Sequence, residues 1–524
     1  MRRFKKNMTN QVFPEKWHTR ESRIVVVLFI VISLVILCPP EMFAQVEPGD
    51  VWGHWPGDLG LGPDDPIIIM GNINVPADST LEIDAGTSIV VVRFNTRITV
   101  NGRLIAIGDS ANKIVFHQRE FLRWSGFRFV QSAGNESILE WCEIKNATFA
   151  IECQYSSPTL RHNIITATNY GIDCTGSSPE IANNTIIVGN DQTLRQADGI
   201  YLHVESNATI TGNRIEVQTF SRYPATGINI QSESSPEISR NWIEVNGGSR
   251  GFGATVTGIY ALNSINPIIE YNIIRTQTYH TMYGVRLVES TEAILQNNTL
   301  HMFGSLITAI GIDASSSVLM IKNNSILGGN NGSIGINSDN ASVVVPGSEY
   351  NNLWAHGVNY AGTWEGDPTD IIADPLLDSL TYTPRWENQD QGNEIKSPCI
   401  DAGDPVIYDP DETRSDIGAV YFDQSVPDGV YNPYVEPRSF SLAEAYPNPF
   451  NSTLMLEVTL PAAQLTKVTS FSISGRRIED IWNGNLTQGK HHFQWSPDNL
   501  PAGEYLIRFD SGKKNEIKRV VYLP

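Results

Sequence analysis

The 524-residue sequence predicts an all-β fold: a parallel β-helix over residues 66–425, then a small immunoglobulin-like β-sandwich over residues 441–524. Three observations predict it. A Gly followed by an aliphatic residue recurs every 26 to 31 residues between Gly171 and Gly311, a solenoid-type period. An Asn follows each pair at a nearly fixed offset. Beyond a Pro-containing linker at 426–440 the chain alternates in short strands punctuated by Gly turns, with no helical periodicity anywhere.

The N-terminus comes first. Residues 1–23 are rich in Arg and Lys, and Ile24 to Leu37 form an apolar run ahead of Pro39 and Pro40. That run is short for a membrane span and reads as a signal peptide over residues 1–44, with cleavage after Ala44. Lipoprotein processing at Cys38 is disfavoured, because Leu37 is bulky for it. A lead-in follows at 45–65. The formal charge of -20 argues against nucleic acid, whose phosphates need a concentrated basic face. It also tells against a strongly anionic polysaccharide unless a basic cluster or a divalent cation intervenes. Removal of the signal leaves Cys142, Cys153, Cys174 and Cys399; export permits a disulfide without requiring one.

The repeat occupies the middle. Its units open at Gly171-Ile172, Gly199-Ile200, Gly227-Ile228, Gly258-Ile259, Gly284-Val285 and Gly311-Ile312. The Asn series 13 or 14 residues later is Asn184, Asn213, Asn241, Asn272, Asn298 and Asn324, with Asn163 in the same frame. Local alternation such as Ile200-Tyr201-Leu202-His203 is strand-like. A unit this short cannot bury its own apolar face, so it stacks on its neighbours at about 4.8 Å and brings equal positions into columns. Ile172, Ile200, Ile228, Ile259, Val285 and Ile312 should form one inward column. The Asn column marks a tight bend, where an amide side chain offers donor and acceptor to the copies above and below. These Asn residues therefore read as structural. The Asn-x-Ser/Thr triplets at Asn183, Asn297 and Asn323 arise from the same repeat and carry no weight as glycosylation sites.

On these residues the chain resembles the right-handed parallel β-helix repeat family, the pectate-lyase-like superfamily. The stretch from Asn74 to Thr87 and then Val100 to Gly108 is similar to the first turns of such exported helices. Ser397 to Asp404 and Arg414 to Ala419 resemble their closing segment. The resemblance implies a groove along the strand that precedes the first bend.

The terminal domain opens on Pro447-Asn448-Pro449-Phe450-Asn451 and contains Gly503-Glu504-Tyr505 and a last strand with Lys518 and Arg519. From the residues alone it is a compact β-sandwich. It resembles the type A sorting domain of the type IX secretion system, which implies passage through the outer membrane of a Gram-negative bacterium, with release or surface attachment. The type IX machinery is then a partner.

Candidate chemistry lies on the outward positions of the Gly-led strands: Tyr201, His203, Asn229, Tyr260, Arg286 and Asp313, beside turn residues Arg222, Arg250 and His280. Aromatic rings beside Arg and Asp suit a glycan groove. Arg286 and Asp313 fall one turn apart and could pair, either as a solvated ion pair or with Arg286 serving a uronate and Tyr260 or His280 assisting proton transfer. No paired carboxylates with glycosidase spacing can be assigned, so the catalytic residues are unknown. Asp404, Asp409, Asp411 and Asp416 form an oxygen-rich segment that is either a Ca²⁺ candidate or a loop held by Asp turns. No cofactor is required. Cys153 and Cys174 share a column on adjacent turns, as a disulfide or as buried thiols. The reading is an exported cell-surface or secreted protein that binds polysaccharide or acts in adhesion; the alternative is a polysaccharide lyase or glycoside hydrolase working in the same groove.

Overall fold

The computed structural model describes residues 45–55, 66–119, 123–130, 136–189, 196–219, 223–247, 254–304, 308–387 and 395–425 of the long body. In the C-terminal domain it describes 441–446, 448, 450–451, 453–460, 464–473, 476–486, 489–497, 500–511 and 514–523. The signal expected over 1–44 and the linker at 426–440 lie outside these residues.

Each repeat folds as three short strands. In a central unit these are Ala225–Gln231 on the first face, Glu237–Ser239 on the second and Trp242–Gly247 on the third. Every strand pairs in parallel with its counterpart one turn on, at Val256–Leu262, Ile268–Glu270 and Ile273–Gln277. The result is a right-handed solenoid of about 11 turns, the hand that parallel crossovers adopt. No helix occurs among the described residues.

Register explains the repeat. Ile151, Ile172, Ile200, Ile228, Ile259, Val285, Ile312 and Ile336 are successive register partners and fully buried. Aliphatics from the second and third faces, Ile210 and Ile215 for example, complete one continuous core. The Gly column is a close-approach requirement. A Cβ on Gly199 would fall 2.5 Å from the carbonyl oxygen of Gly227 and against Ile215, and each Gly from Gly171 to Gly335 meets the same obstacle. Only glycine lets the first strand lie that near its neighbours.

Two boundaries differ from the sequence reading. Within the lead-in, Gln45–Val46, Gly49–Asp50 and Gly53–Trp55 already pair in parallel with the next turn; strands of two or three residues leave no readable alternation. At the far end the stack stops near Asn352–Gly362, and the following chain runs back along the third face as a strap. Gly418 N donates to Asn323 O at 2.8 Å and Ala419 N to Thr299 Oγ1 at 2.9 Å. Asn297 Nδ2 donates to Asp416 O at 3.1 Å, so two of the sequon asparagines are buried strap anchors. Tyr382 and Val420 pack on Trp242 and Ile273 in a satellite cluster.

The C-terminal domain has two antiparallel sheets, of three and four strands. Phe450, Leu456, Val468, Trp495, Ile507 and Phe509 fill the space between them. Asn448 ties the start of the domain to its last strand: its Oδ1 accepts from Val521 N at 2.8 Å and its Nδ2 donates to Arg519 O at 3.2 Å. Tyr505 donates its hydroxyl to Pro501 O at 2.7 Å. Lys518 is the register partner of Ile507. Pro447 and Pro449 lie outside the described residues.

Candidate functional site

The outward face of the Gly-led strands is built from three columns. Two residues past each Gly, Glu152, Asp173, Tyr201, Asn229, Tyr260, Arg286, Asp313 and Asn337 follow one another in register. One residue before it come Tyr170, Asp198, Thr226, Thr257 and Tyr283. Four past it come Thr175, His203, Gln231 and Leu262. Alternation turns the second-position and fourth-position columns away from the core; the column before the Gly also lies outward because the Gly and the aliphatic after it both face inward, which breaks the alternation there.

The upper part of this face is one connected cluster. Phe149, Tyr170 and Tyr201 follow one another with centroids 5.5 and 5.7 Å apart, and Tyr201 stacks on His203 at 4.7 Å. His203 Nε2 stands 3.1 Å from Asp173 Oδ1 and 2.9 Å from Thr175 Oγ1. Tyr201 donates its hydroxyl to Gln231 Oε1 at 3.1 Å, Gln231 Nε2 donates to Asn229 Oδ1 at 3.1 Å, and Asn229 Nδ2 donates to Asp198 Oδ2 at 3.2 Å. Asp198 is the residue that sequence reasoning missed. It is fully buried, and burial pushes its carboxyl up to about 7, with Asp173 adding repulsion and the bonds from Asn229, Thr226 and Gln196 opposing. Its Oδ1 has no hydrogen-bond partner among the described residues. Burial, then the same two aspartates, pushes Tyr170 up to about 12, so its hydroxyl stays a donor.

The lower part centres on Arg286. Its Nε donates to Asp313 Oδ2 at 3.2 Å, and Asn337 Nδ2 donates to Asp313 Oδ1 at 2.7 Å. The guanidinium lies 4.6 Å from the Tyr283 ring centroid and 5.9 Å from that of Tyr260. Clamped between carboxylate and rings, it keeps 36% of its side chain exposed, with N–H donors left for a ligand.

The structure sorts the expected residues. Tyr201, His203, Tyr260 and Arg286 remain on the accessible face. Asn229 and Asp313 are buried, because each is drawn into bonds with its neighbours and so supports the face from below. His280 stands six residues before Arg286, just ahead of the strand Thr281–Val288. Arg222 and Arg250 lie outside the described residues.

The acidic segment of the strap answers to turn chemistry. Asp416 accepts from Asp401 N and Phe422 N, both at 2.7 Å, and Asp409 accepts from Asp416 N at 2.7 Å. Asp411 caps Thr413 and Gln424, and Asp404 pairs with Lys322 at 2.5 Å. Among the described residues no three His, Cys, Asp or Glu side chains are grouped to hold a metal ion. Cys153 and Cys174 are register partners and stand as buried free thiols.

Residues 184–301 match the family described as "Right handed beta helix region", and residues 444–522 match the family described as "Secretion system C-terminal sorting domain". No curated protein matches the sequence. A solved structure similar to the chain is the enzymatically active domain of bacteriophage CBA120 tailspike protein 2. The likeness is at 10% identity, over 91% of this chain and 71% of that one, with a TM-score of 0.17, a value that supports no argument. The terminal domain marks the chain for secretion and the cell surface. The chain is thus a right-handed parallel β-helix protein that carries a secretion-system C-terminal sorting domain.

Proposed function

We propose that this protein is exported by the type IX system of a Gram-negative bacterium, after removal of an N-terminal signal, and binds a polysaccharide along the first face of its β-helix. The observation that carries the reading is the row of aromatic and polar groups repeated at turn spacing, from Tyr170 and Tyr201 through Tyr260 to Tyr283 and Arg286. Turns spaced at about 4.8 Å present aromatic and polar groups at regular intervals to a polymer that is itself periodic. Tyr170 and Tyr201 stack on one another and Arg286 lies by Tyr260 and Tyr283, so edges and hydroxyls meet the ligand, and contact is through hydrogen bonds more than through ring faces. A net charge of -20 favours a neutral glycan.

The test is affinity electrophoresis of the purified protein through gels cast with plant, algal and bacterial glycans. Retarded migration is expected in at least one neutral glycan, and Tyr201→Ala and Arg286→Ala should each weaken it about tenfold, roughly 1.4 kcal/mol. Unchanged migration of both variants would remove this face from consideration. The catalytic alternative, a lyase or hydrolase, rests on the Asp173–His203 pair, whose side chains solvent reaches. Unsaturated products or new reducing ends, lost in His203→Ala, would establish it.

A further inference from the structure

The third face carries a cavity of about 480 Å³ that the glycan reading does not use. Its floor is a column of outward residues on four successive turns, Arg275, His301, Leu327 and Trp354. Its wall is the first limb of the strap, with Asp374, Asp378 and Tyr382. The strap is bound on the floor by a bond of 2.7 Å between His301 Nδ1 and the Tyr382 hydroxyl.

The lining disfavours an anion and leaves no place for a cation over two of the nearby rings. Arg275 is balanced by Glu244 at 3.1 Å and its guanidinium covers the rings of Trp242 and Phe303, so the position a cationic ligand would take over those aromatics is filled. Asp374 and Asp378 repel an anion. Burial and then Arg275 hold His301 down to about 4, so the imidazole adds no charge.

What remains is an aromatic surface beside the carboxylates of Asp374 and Asp378. Trp354 keeps 38% of its surface exposed at the cavity. Asp374 and Asp378 each commit Oδ1 to the N–H groups of their own turns; no bond to either Oδ2 is seen among the described residues. An indole beside carboxylate acceptors matches a ring with one apolar face and a rim of hydroxyls.

We propose that this cleft binds a neutral sugar of one or two residues, with a sugar face on Trp354 and hydroxyls bonded to Asp374 and Asp378. It is a second carbohydrate site, on a different face from the groove. The probes are glucose, galactose, mannose, cellobiose and lactose, titrated into the full-length protein and followed by tryptophan fluorescence and saturation-transfer NMR. At least one should bind, and Trp354→Ala should weaken it at least about tenfold. Ser379→Tyr, at an exposed strap position lining the cleft, should block binding without touching the floor. Binding by none of these sugars would overturn the proposal, as would binding indifferent to both substitutions. A loss seen only in Tyr201→Ala would assign the sugar to the first face, which also overturns it.

Discussion

Each ladder asparagine answers the same bonding problem, met once per turn. At Asn241, Oδ1 accepts from the backbone N and from Nδ2 of Asn213, both at 2.9 Å. Its own Nδ2 donates to Ile210 O, Ser239 O and Asn272 Oδ1 at 2.9 to 3.0 Å. Asn241→Ala would orphan several buried groups at about 1–3 kcal/mol each. A loss of at least about 3 kcal/mol in urea unfolding is expected; a loss under about 1 kcal/mol would show that water replaces the amide. The last member, Asp370, differs because no further turn needs a donor. Its oxygens only accept, from Asn351 N at 2.7 Å, the Tyr360 hydroxyl at 2.7 Å and Asp367 N at 2.9 Å. Asp370→Asn sets an NH₂ against these donors and should cost about 1–3 kcal/mol by the same measurement; an unchanged midpoint would mean the end of the ladder is loose.

At the scale of the strand, the glycine column decides how closely the first face packs. Gly227→Ala places a methyl 2.5 Å from Gly258 O, so strand and neighbour must separate, at about 1–3 kcal/mol for overpacking. Thermal unfolding of the variant should show it, and a melting curve equal to that of the parent would refute the close-approach argument. This column and the seven asparagines were legible in the sequence because stacking imposes one requirement at every turn, and identical requirements leave a period. Asn351 escaped because it stands 16 residues after Gly335 and not 13 or 14. Asp198 escaped for a different reason: its column holds Thr226, Thr257 and Tyr283 on the next turns, so nothing periodic marks it. The cleft could not be read at all. Its floor belongs to the repeat, but its wall comes from 374–382, and the folding back of the strap has no signature in spacing.

Apart from the C-terminal domain, the molecule joins two unlike parts, a periodic rod and an aperiodic strap that runs back along it, and their response to pH should differ. Burial, aided by neighbouring carboxylates, pushes Asp409 up to about 7 and Asp416 up to about 8 in the strap. An unfolded aspartate loses its proton near about 3.9, so between that pH and the folded values the native state binds more protons than the unfolded one. Stability therefore falls as pH rises, by up to about 1.4 kcal/mol per pH unit for each such group, and levels off once both are ionised. The two aspartates are mutually coupled, so they should titrate as a pair. Among the described residues the rod contributes one comparable carboxyl, Asp198, whereas the strap holds two within a short segment. The strap should then open locally before the rod does. Hydrogen exchange followed from about pH 5 to about pH 9, corrected for intrinsic rates, should show protection of the Ile400 and Ile417 amides declining while that of Ile228 and Ile259 holds. Added Ca²⁺ or EDTA should leave the profile unchanged, since backbone donors already occupy these carboxylates. Protection of the strap that is flat with pH, or restored by Ca²⁺, would mean that its aspartates are ionised and compensated in a way these contacts do not provide.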